Sequence, residues 1–207
     1  MSPIDLVKEH RALYRPSWKH PGIVDVPERC FLMVDGRGAP ESEVYQEAVQ
    51  ALYGTAYRLK FSLRNADAER DFKVAPLEGL WWSDVERPDF DTLQADRDAW
   101  NWTLMIAVPD GVTDAEAAAA TEQAARKRKQ AAPVKVRFER FREGLAAQIM
   151  HIGPYSAEGP IIERLHDWVE QQGYELHGRH HEIYLSDPRR AAPEQLKTVL
   201  RHPVRER

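Results

Sequence analysis

The sequence predicts an α+β fold built from two similar modules, each with the order strand, helix, strand, strand. Short apolar or alternating runs, typical of strands, alternate with longer segments that have apolar residues at helical spacing. The third element ends alike in both halves, in residues 78–84 (EGLWWSD) and residues 182–187 (EIYLSD). We therefore expect modules at about 29–110 and 144–204 that share one antiparallel sheet with their helices on one face. A ligand groove is expected where the modules meet.

The N-terminal segment and the first module follow from simple patterns. Apolar residues at helical spacing predict a short first helix, and the prolines behind it predict a loop that wraps the domain. The long helix of the module has acidic residues in its first turns, where the helix dipole favours them. The predicted elements are a helix at 3–14, a wrapping loop at 15–28, a strand at 29–35, a helix at 42–59, strands at 72–82 and 100–108, and an acidic loop at 83–98.

An alanine-rich helix is expected to connect the two modules. It carries acidic residues early and the basic run 126–129 (RKRK) late, so its charges complement the helix dipole. We interpret the basic run as a solvated helix end rather than as a nucleic-acid site. The predicted elements from here on are a helix at 113–129, strands at 134–142 and 145–152, a helix that ends at about 172, and strands at 175–186 and 197–204.

Composition and charge exclude several classes of protein. Of the 207 residues, 43% are hydrophobic and 30% are charged, and no run of about 18 apolar residues indicates a membrane span. The net charge of −4 argues against a direct nucleic-acid partner. Cys30 is the single cysteine, which rules out an intrachain disulfide, and the N-terminal residues lack the apolar segment of a signal peptide. We expect a cytoplasmic protein.

The sequence contains no strong metal or nucleotide motif. It lacks the patterns GxGxxG, GxxxxGK[ST], GxSxG and HExxH. His177, His180, His181 and Glu182 suggest a zinc site, but alternate residues of a strand face opposite sides, which separates His181 from its neighbours. We therefore expect ordinary half-buried histidines, no metal and no cofactor.

The aromatic residues carry more information. Four of the six tryptophans, Trp81, Trp82, Trp100 and Trp102, lie on two neighbouring predicted strands. Trp81 and Trp82 are consecutive, so one is expected to face the helices and the other a groove. Glu182 lies among aromatic residues on an interior strand, where a carboxylate is costly unless it is paired, binds or reacts. Two interpretations stay open, an aromatic groove with a central carboxylate or core tryptophans with Glu182 in a salt bridge.

With these residues in place, the sequence resembles the GyrI-like small-molecule-binding family, in particular its stand-alone two-module branch. The resemblance extends over nearly the whole chain, and its segments are specific as a set rather than singly. They are residues 31–40 (FLMVDGRGAP), 52–61 (LYGTAYRLKF), 76–82 (PLEGLWW), 102–110 (WTLMIAVPD), 149–155 (IMHIGPY), 182–188 (EIYLSDP) and 197–204 (KTVLRHPV).

The resemblance implies both a fold and a site. In the drug-responsive regulators of this family, the glutamate of a Glu-x-Tyr element contacts cationic drugs, a role that corresponds here to Glu182 with Tyr184 beside it. An aromatic wall would include Trp82, Trp102 and Tyr155. No DNA-binding helix-turn-helix segment precedes the matching residues, so we expect the ligand-binding part alone. Some members of the stand-alone branch resemble hydrolases that open the cyclopropane ring of DNA-alkylating natural products and so protect the cell.

Three functional hypotheses follow. In the first, the protein is a cyclopropanoid cyclopropyl hydrolase in which Glu182 acts as a general base and Tyr184 or Tyr155 donates to the developing phenolate oxygen. In the second, it is a non-catalytic module that sequesters or senses planar aromatic or cationic small molecules. In the third, it binds a protein target such as gyrase. The residues expected to contact a ligand are Trp82, Trp102, Met105, His151 and Glu78, the last as the pseudo-symmetric counterpart of Glu182.

Overall fold

The computed structural model describes residues 2–84, 96–127 and 134–207. Among the helices in these ranges, none is long and apolar enough to cross a membrane. In chain order the helices are α1 (Leu6–Glu9), α2 (Arg11–Tyr14), α3 (Glu43–Ala66), α4 (Asp114–Lys127) and α5 (Gly159–Gln171). The strands are β1 (Gly22–Arg37), β2 (Leu77–Trp82), β3 (Asn101–Val108), β4 (Arg137–Ile152), β5 (Tyr174–Leu176), β6 (His180–Tyr184) and β7 (Lys197–Glu206).

The strands form one antiparallel sheet that closes on itself. Neighbouring strands follow the order β4-β1-β3-β2-β6-β7, and β7 pairs in turn with β4. The short β5 pairs with the end of β7, beyond the part of β7 that pairs with β6. The predicted α+β class and antiparallel sheet are confirmed. The closure of six strands into a ring goes beyond that prediction, because it depends on pairing between strands that are distant in the sequence.

The two halves of the chain contribute equivalent elements. The first half supplies β1, α3, β2 and β3, and the second supplies β4, α5, β6 and β7. The pairs β1–β4 and β2–β6 join the halves. If every strand is replaced by its counterpart in the other half, the same pairs of neighbouring strands result. This connectivity supports our proposal of two related modules. Their expected starts at 29 and 144 fall inside strands, however, because β1 already begins at Gly22 and β4 at Arg137.

β1 and β4 are longer than predicted because they pair with each other over most of their length. Residues 22–28, predicted to be part of a wrapping loop, pair with β4, and Pro27 falls between two paired positions. The strands predicted at 134–142 and 145–152 are continuous. Gly144 between them has φ +78°, a conformation that glycine adopts without strain.

Two other predicted strands are shorter than expected. The strand predicted at 175–186 is interrupted between β5 and β6, where Gly178 has φ +74°. β2 begins only at Leu77, and Phe72 forms a parallel bridge with Ile4, which ties the N-terminal segment to the first half. Most of the acidic loop predicted at 83–98, and the last two residues of the helix predicted at 113–129, lie outside the described residues.

The module helices α3 and α5 pack on one face of the sheet, as predicted, and this face is the outer face of the ring. α3 buries Leu52 and Leu59 in one cluster with Leu104 of β3. α5 buries Leu165 in a second cluster with Ile149 of β4. Burial of apolar side chains on this scale is the main source of stability in such a layer. The outer face is therefore where the core of each half forms.

The inner face of the ring holds a buried ionic network. Arg201 of β7 donates to Glu143 at 3.0 Å and to Gln148 at 3.0 Å, and its third contact is the carbonyl of Leu13, 2.7 Å away. The side chains of Arg201 and Glu143 are almost fully buried. The contact with Leu13 draws α2 into the ring, so the N-terminal helical segment packs against the inner face.

His181 extends this network towards the first half of the chain. Its ring lies between Glu143, at 3.0 Å from Nδ1, and Glu78, at 3.1 Å from Nε2. Tyr14 donates to Glu78 at 2.8 Å. Burial raises the pKa of Glu143, but the nearby charges of His181 and Arg201 lower it by more, to about 2. Glu143 is therefore ionised, and its charge offsets those of its two buried partners.

Replacement of Glu143 should destabilise the fold strongly. In Glu143→Gln the neutral amide removes the carboxylate that forms the direct ion pair with buried Arg201. We expect the free energy of unfolding to fall by about 3–5 kcal/mol, measured by urea titration.

Glu139→Gln is the matched control on the same strand. Glu139 pairs with Arg137 at 2.7 Å, but its side chain is half exposed. Loss of such a surface pair should cost less than about 1 kcal/mol. Equal effects of the two substitutions would contradict a stabilising role for the inner network.

Candidate functional site

A groove of about 1920 Å³ crosses the outer face of the sheet where the two halves meet. Its floor is the β2–β6 strand pair, and α3 and α5 contribute to its walls. Gly79 pairs with Glu182 and Trp81 pairs with His180 in antiparallel register. Because alternate residues of a strand share a face, Trp81, His180, Glu182 and Tyr184 all point towards the groove.

Trp81 is the central aromatic residue of the floor. Tyr45 of α3 stacks on it, with 5.9 Å between the ring centroids and 20° between the planes. Trp100 packs edge-on against it at 5.5 Å. The indole Nε1 donates to the hydroxyl of Tyr184 at 3.0 Å. These three contacts hold the indole in one orientation. A ligand that packs against it therefore binds with a smaller loss of side-chain entropy.

Gly79 makes room for this arrangement. A Cβ atom at this position would lie 2.8 Å from Trp81 Nε1 and 3.4 Å from the Tyr184 hydroxyl oxygen. The first distance is shorter than any ordinary contact, so the absence of a side chain lets the indole lie against the β2 backbone. The hydrogen bond between Trp81 and Tyr184 depends on this space.

Glu182 is held by its neighbours on β6. Tyr184 donates to Glu182 Oε2 at 2.7 Å, and Glu182 Oε1 lies 3.3 Å from His180 Nε2. The ring of Tyr155 packs edge-on against Tyr184 at 5.7 Å between centroids. A chain of hydrogen bonds therefore runs from Trp81 through Tyr184 to the carboxylate, which positions it among aromatic rings.

Glu158 brings a second carboxyl group to the same groove. It directly precedes α5, is only 4% exposed, and its Oε1 has no hydrogen-bond partner among the described residues. Burial and the negative charge of Glu182 raise the pKa of Glu158 to about 9. At neutral pH this carboxyl group is protonated and can donate a hydrogen bond or a proton.

Three histidines from different elements meet at one part of the groove. They are His166 of α5, His180 of β6 and His202 of β7, and one ring nitrogen from each lies within 4.8 Å of the others. Burial and the neighbouring His180 lower the pKa of His166 to about 4. Burial, together with His180 and His166, also lowers the pKa of His202. At neutral pH both rings are uncharged.

Residues 20–205 match the family model of the GyrI-like small molecule binding domain. The chain belongs to the GyrI-like family. No curated protein matches it. Its fold is similar to that of an uncharacterized conserved protein from Listeria innocua, which is 44% identical with a TM-score of 0.88, over 98% of this chain and 100% of that one.

Two further similar structures are described as hydrolases from Listeria innocua. One is 42% identical with a TM-score of 0.83 and covers 98% of this chain and 100% of that one. The other is 41% identical with a TM-score of 0.85 and covers 99% of this chain and 100% of that one. The GyrI-like chain is thus similar over its whole length to structures that carry this description.

Four residues of the predicted site line the groove of this GyrI-like domain. Glu182, Tyr184 and Tyr155 lie close together, as the contacts above show. Trp82 also lines the groove. Unlike Trp81, it does not belong to the floor, because it has the opposite orientation on β2, and the guanidinium of Arg179 lies 3.5 Å from its ring centroid.

The other four expected ligand contacts are placed elsewhere, which corrects the predicted lining. Trp102 is fully buried beside Tyr45. Glu78 and Met105 pair across β2 and β3, on the inner face rather than the groove face. His151 is buried, and its ring is 3.1 Å from a backbone carbonyl of the following turn. The alternation of side chains along a strand predicts which residues share a face of the sheet. Which of the two faces carries the groove depends on where the helices pack.

Sequence reasoning missed Glu158, His166, His202 and the stacked pair of Trp81 with Tyr45. The signal for Glu158 was its place directly before Gly-Pro, a pattern typical of a helix start. The histidines carried no signal because His166, His180 and His202 are far apart in the sequence and show no ligand spacing.

The Gly79→Ala substitution should disturb the floor of the groove. The added methyl group has to displace the Trp81 indole, and over-packing of this kind typically costs about 1–3 kcal/mol. We expect a lower free energy of unfolding by that amount and a changed near-ultraviolet circular dichroism signal from tryptophan. Gly22→Ala is the control, because nothing lies within 4 Å of a Cβ there. A Gly79→Ala protein identical to wild type in both measurements would contradict the packing role.

Proposed function

We propose that this GyrI-like protein is a hydrolase that adds water to a planar, strained electrophile, a cyclopropane ring conjugated to a dienone. Opening of such a ring would remove the DNA-alkylating group and protect the cell. The observation that carries the proposal is the presence of two carboxyl groups, Glu182 and the buried Glu158, in one aromatic groove. The similarity to structures described as hydrolases supports it.

General acid–base catalysis needs one group that accepts a proton and one that donates a proton, and two carboxyl groups can share these roles. Glu182 accepts a proton from water as the water oxygen bonds to a ring carbon. The bond between that carbon and the ring carbon shared with the dienone breaks, and its electron pair moves into the conjugated system, which becomes a phenolate. Glu158 supplies the proton that this oxygen takes up. The sum is the addition of one water molecule, and proton exchange with solvent returns both carboxyl groups to their starting states.

The tyrosines take different roles in this scheme. The hydroxyl proton of Tyr184 is already donated to Glu182, so Tyr184 is a positioning residue for the base. Tyr155 is 38% exposed, and burial together with the charges of Glu158 and Glu182 raises its pKa to about 12. It therefore stays protonated and can hydrogen-bond to the developing oxyanion. Trp81 and Tyr45 are stacked on each other and nearly buried, and a planar substrate would pack against the part of these rings that lines the groove.

A non-catalytic binding module is the second candidate. The carboxylate of Glu182 beside Trp81, Tyr155 and Tyr184 is the arrangement that attracts planar cations. Mass spectrometry of a neutral cyclopropane dienone incubated with the protein separates the two candidates. A product heavier by one water supports the hydrolase, whereas binding without product supports the module.

Removal of the base should abolish turnover and spare binding. In Glu182→Gln the amide keeps the size of the side chain but cannot accept the proton from water. We expect kcat for the neutral substrate to fall by about two to four orders of magnitude. The affinity of a neutral planar ligand, followed by tryptophan fluorescence, should change little.

Glu43→Gln is the control for this substitution, because Glu43 is exposed in the first turn of α3 and does not line the groove. It should leave both values unchanged. Unchanged product formation in Glu182→Gln would exclude the base role and favour the binding module. A selective loss of cationic ligands would point to a counter-charge instead.

The pH profile should report the state of Glu158. Its carboxyl group is protonated below about pH 9 and ionised above, so kcat should fall as the pH rises through that value. The titratable groups that interact with it are Glu182, Tyr155 and Tyr184. Burial raises the pKa of both tyrosines, that of Tyr155 to about 12, so neither tyrosine accounts for a limb near pH 9. In Glu158→Gln the activity should be lower and the alkaline limb near pH 9 should disappear. A limb that persists in this variant would assign the acid to another group.

A further inference from the structure

His166, His180 and His202 are brought together only by the tertiary structure. In the β6–β7 register His181 pairs with Arg201, so His180 and His202 stand opposite each other one step further along the two strands. His166 reaches them from α5, and its ring centroid is 5.2 Å from that of His202. Three imidazoles from three elements therefore converge beside the groove floor.

The ring nitrogens in this cluster have no hydrogen-bond partners among the described residues. They are His166 Nε2, His202 Nδ1 and both nitrogens of His180, and all four atoms are buried; His180 Nε2 lies 3.3 Å from Glu182 Oε1 without forming a hydrogen bond. Buried polar atoms are nearly always bonded, because an unpaired donor or acceptor retains the full cost of leaving water. Each of the three rings thus has an unpaired buried nitrogen, and one ring nitrogen of each lies within 4.8 Å of the others, which favours a shared binding partner.

The chemistry of these donors selects the class of that partner. Imidazole nitrogens are preferred ligands of Zn²⁺ and its first-row neighbours, and three histidines with one open position form a familiar catalytic zinc set. Glu182 Oε1 lies 3.3 Å from His180 Nε2, so a carboxylate stands beside the cluster. Ligand nitrogens on one Zn²⁺ lie on the order of 3.3 Å apart. The present spacing, within 4.8 Å, is wider than that value, so binding of one ion requires the three rings to move closer together.

We infer that His166, His180 and His202 bind one first-row transition-metal dication of the Zn²⁺ type, with the open coordination position towards Glu182 and the groove. This differs from the expectation of no metal, which considered only histidines that are neighbours in the sequence. The inference does not depend on hydrolysis, because it concerns binding of the metal ion alone.

The test uses the full-length chain without a polyhistidine tag, freed of metal by a chelator and then dialysed. Titration with Zn²⁺ in a calorimeter should give one bound ion per chain. Titration with Co²⁺ should give the visible absorption bands of a tetrahedral or five-coordinate site. Zn²⁺ should also raise the melting temperature, because a ligand that binds only the folded state stabilises it.

Variants separate the cluster from incidental histidines. His166→Ala and His202→Ala should each lose one-to-one binding and the cobalt bands. His177→Ala is the matched control, because His177 is exposed next to the cluster and contributes none of the three nitrogens. It should bind as wild type does. His166→Gln, together with far-ultraviolet circular dichroism, guards against loss of binding through unfolding.

Two results would overturn the inference. One is no uptake of Zn²⁺ or Co²⁺ by the metal-free wild type, which would mean that water satisfies the ring nitrogens. The other is equal uptake by wild type, His166→Ala and His202→Ala, which would assign the ion to exposed histidines. Neither readout uses substrate, so the two proposals are tested separately. Metal binding by a protein that does not hydrolyse the substrate would support the metal site alone. Hydrolysis by a protein that binds no metal would support the hydrolase alone.

Discussion

Arg201 lies inside a closed ring of strands, and the pairing of its charge organises much of the molecule. A buried cation without a partner is costly enough to prevent folding in this form. Its guanidinium is therefore bound by Glu143, Gln148 and the backbone carbonyl of Leu13. Glu143 also contacts His181, so a single network joins β4, β6, β7 and the N-terminal helical segment. The ring and its N-terminal segment thus form one cooperative structure.

The same network determines which side chains reach the groove. The side chains of Glu78 and His181 lie on the inner face, where they contact each other at 3.1 Å. Because side chains alternate along a strand, Trp81, Glu182 and Tyr184 must then face outward. A slip of one residue would exchange the faces, exposing buried ion pairs and burying the groove floor. The energetic cost of that exchange ties the geometry of the candidate site to the stability of the fold.

The groove differs from the inner network in how its polar groups are satisfied. Inside the ring, Glu78 and Glu143 both have hydrogen-bond partners. In the groove, Glu158 and the rings of His166 and His180 carry buried atoms without partners among the described residues. Unsatisfied polar groups are uncommon in folded proteins and tend to occur where a protein binds or reacts. One nitrogen of Arg29, beside Tyr14 in the inner network, is also unpaired among the described residues, but the unpaired carboxyl and imidazole atoms named here all lie in the groove.

Local sequence patterns determined most of the helices and strands, the order of the two modules and the shared face of His180, Glu182 and Tyr184, because these follow from the periods of helix and strand alone. The tertiary structure decided which face of each strand meets the helices, and so placed Trp102 in the core and Met105 on the inner face. Closure of the ring through β4 and β7 also lies beyond local patterns. The carboxyl and histidine groupings of the groove arise the same way, since residues far apart in sequence become neighbours only when long-range strand pairing brings their elements together.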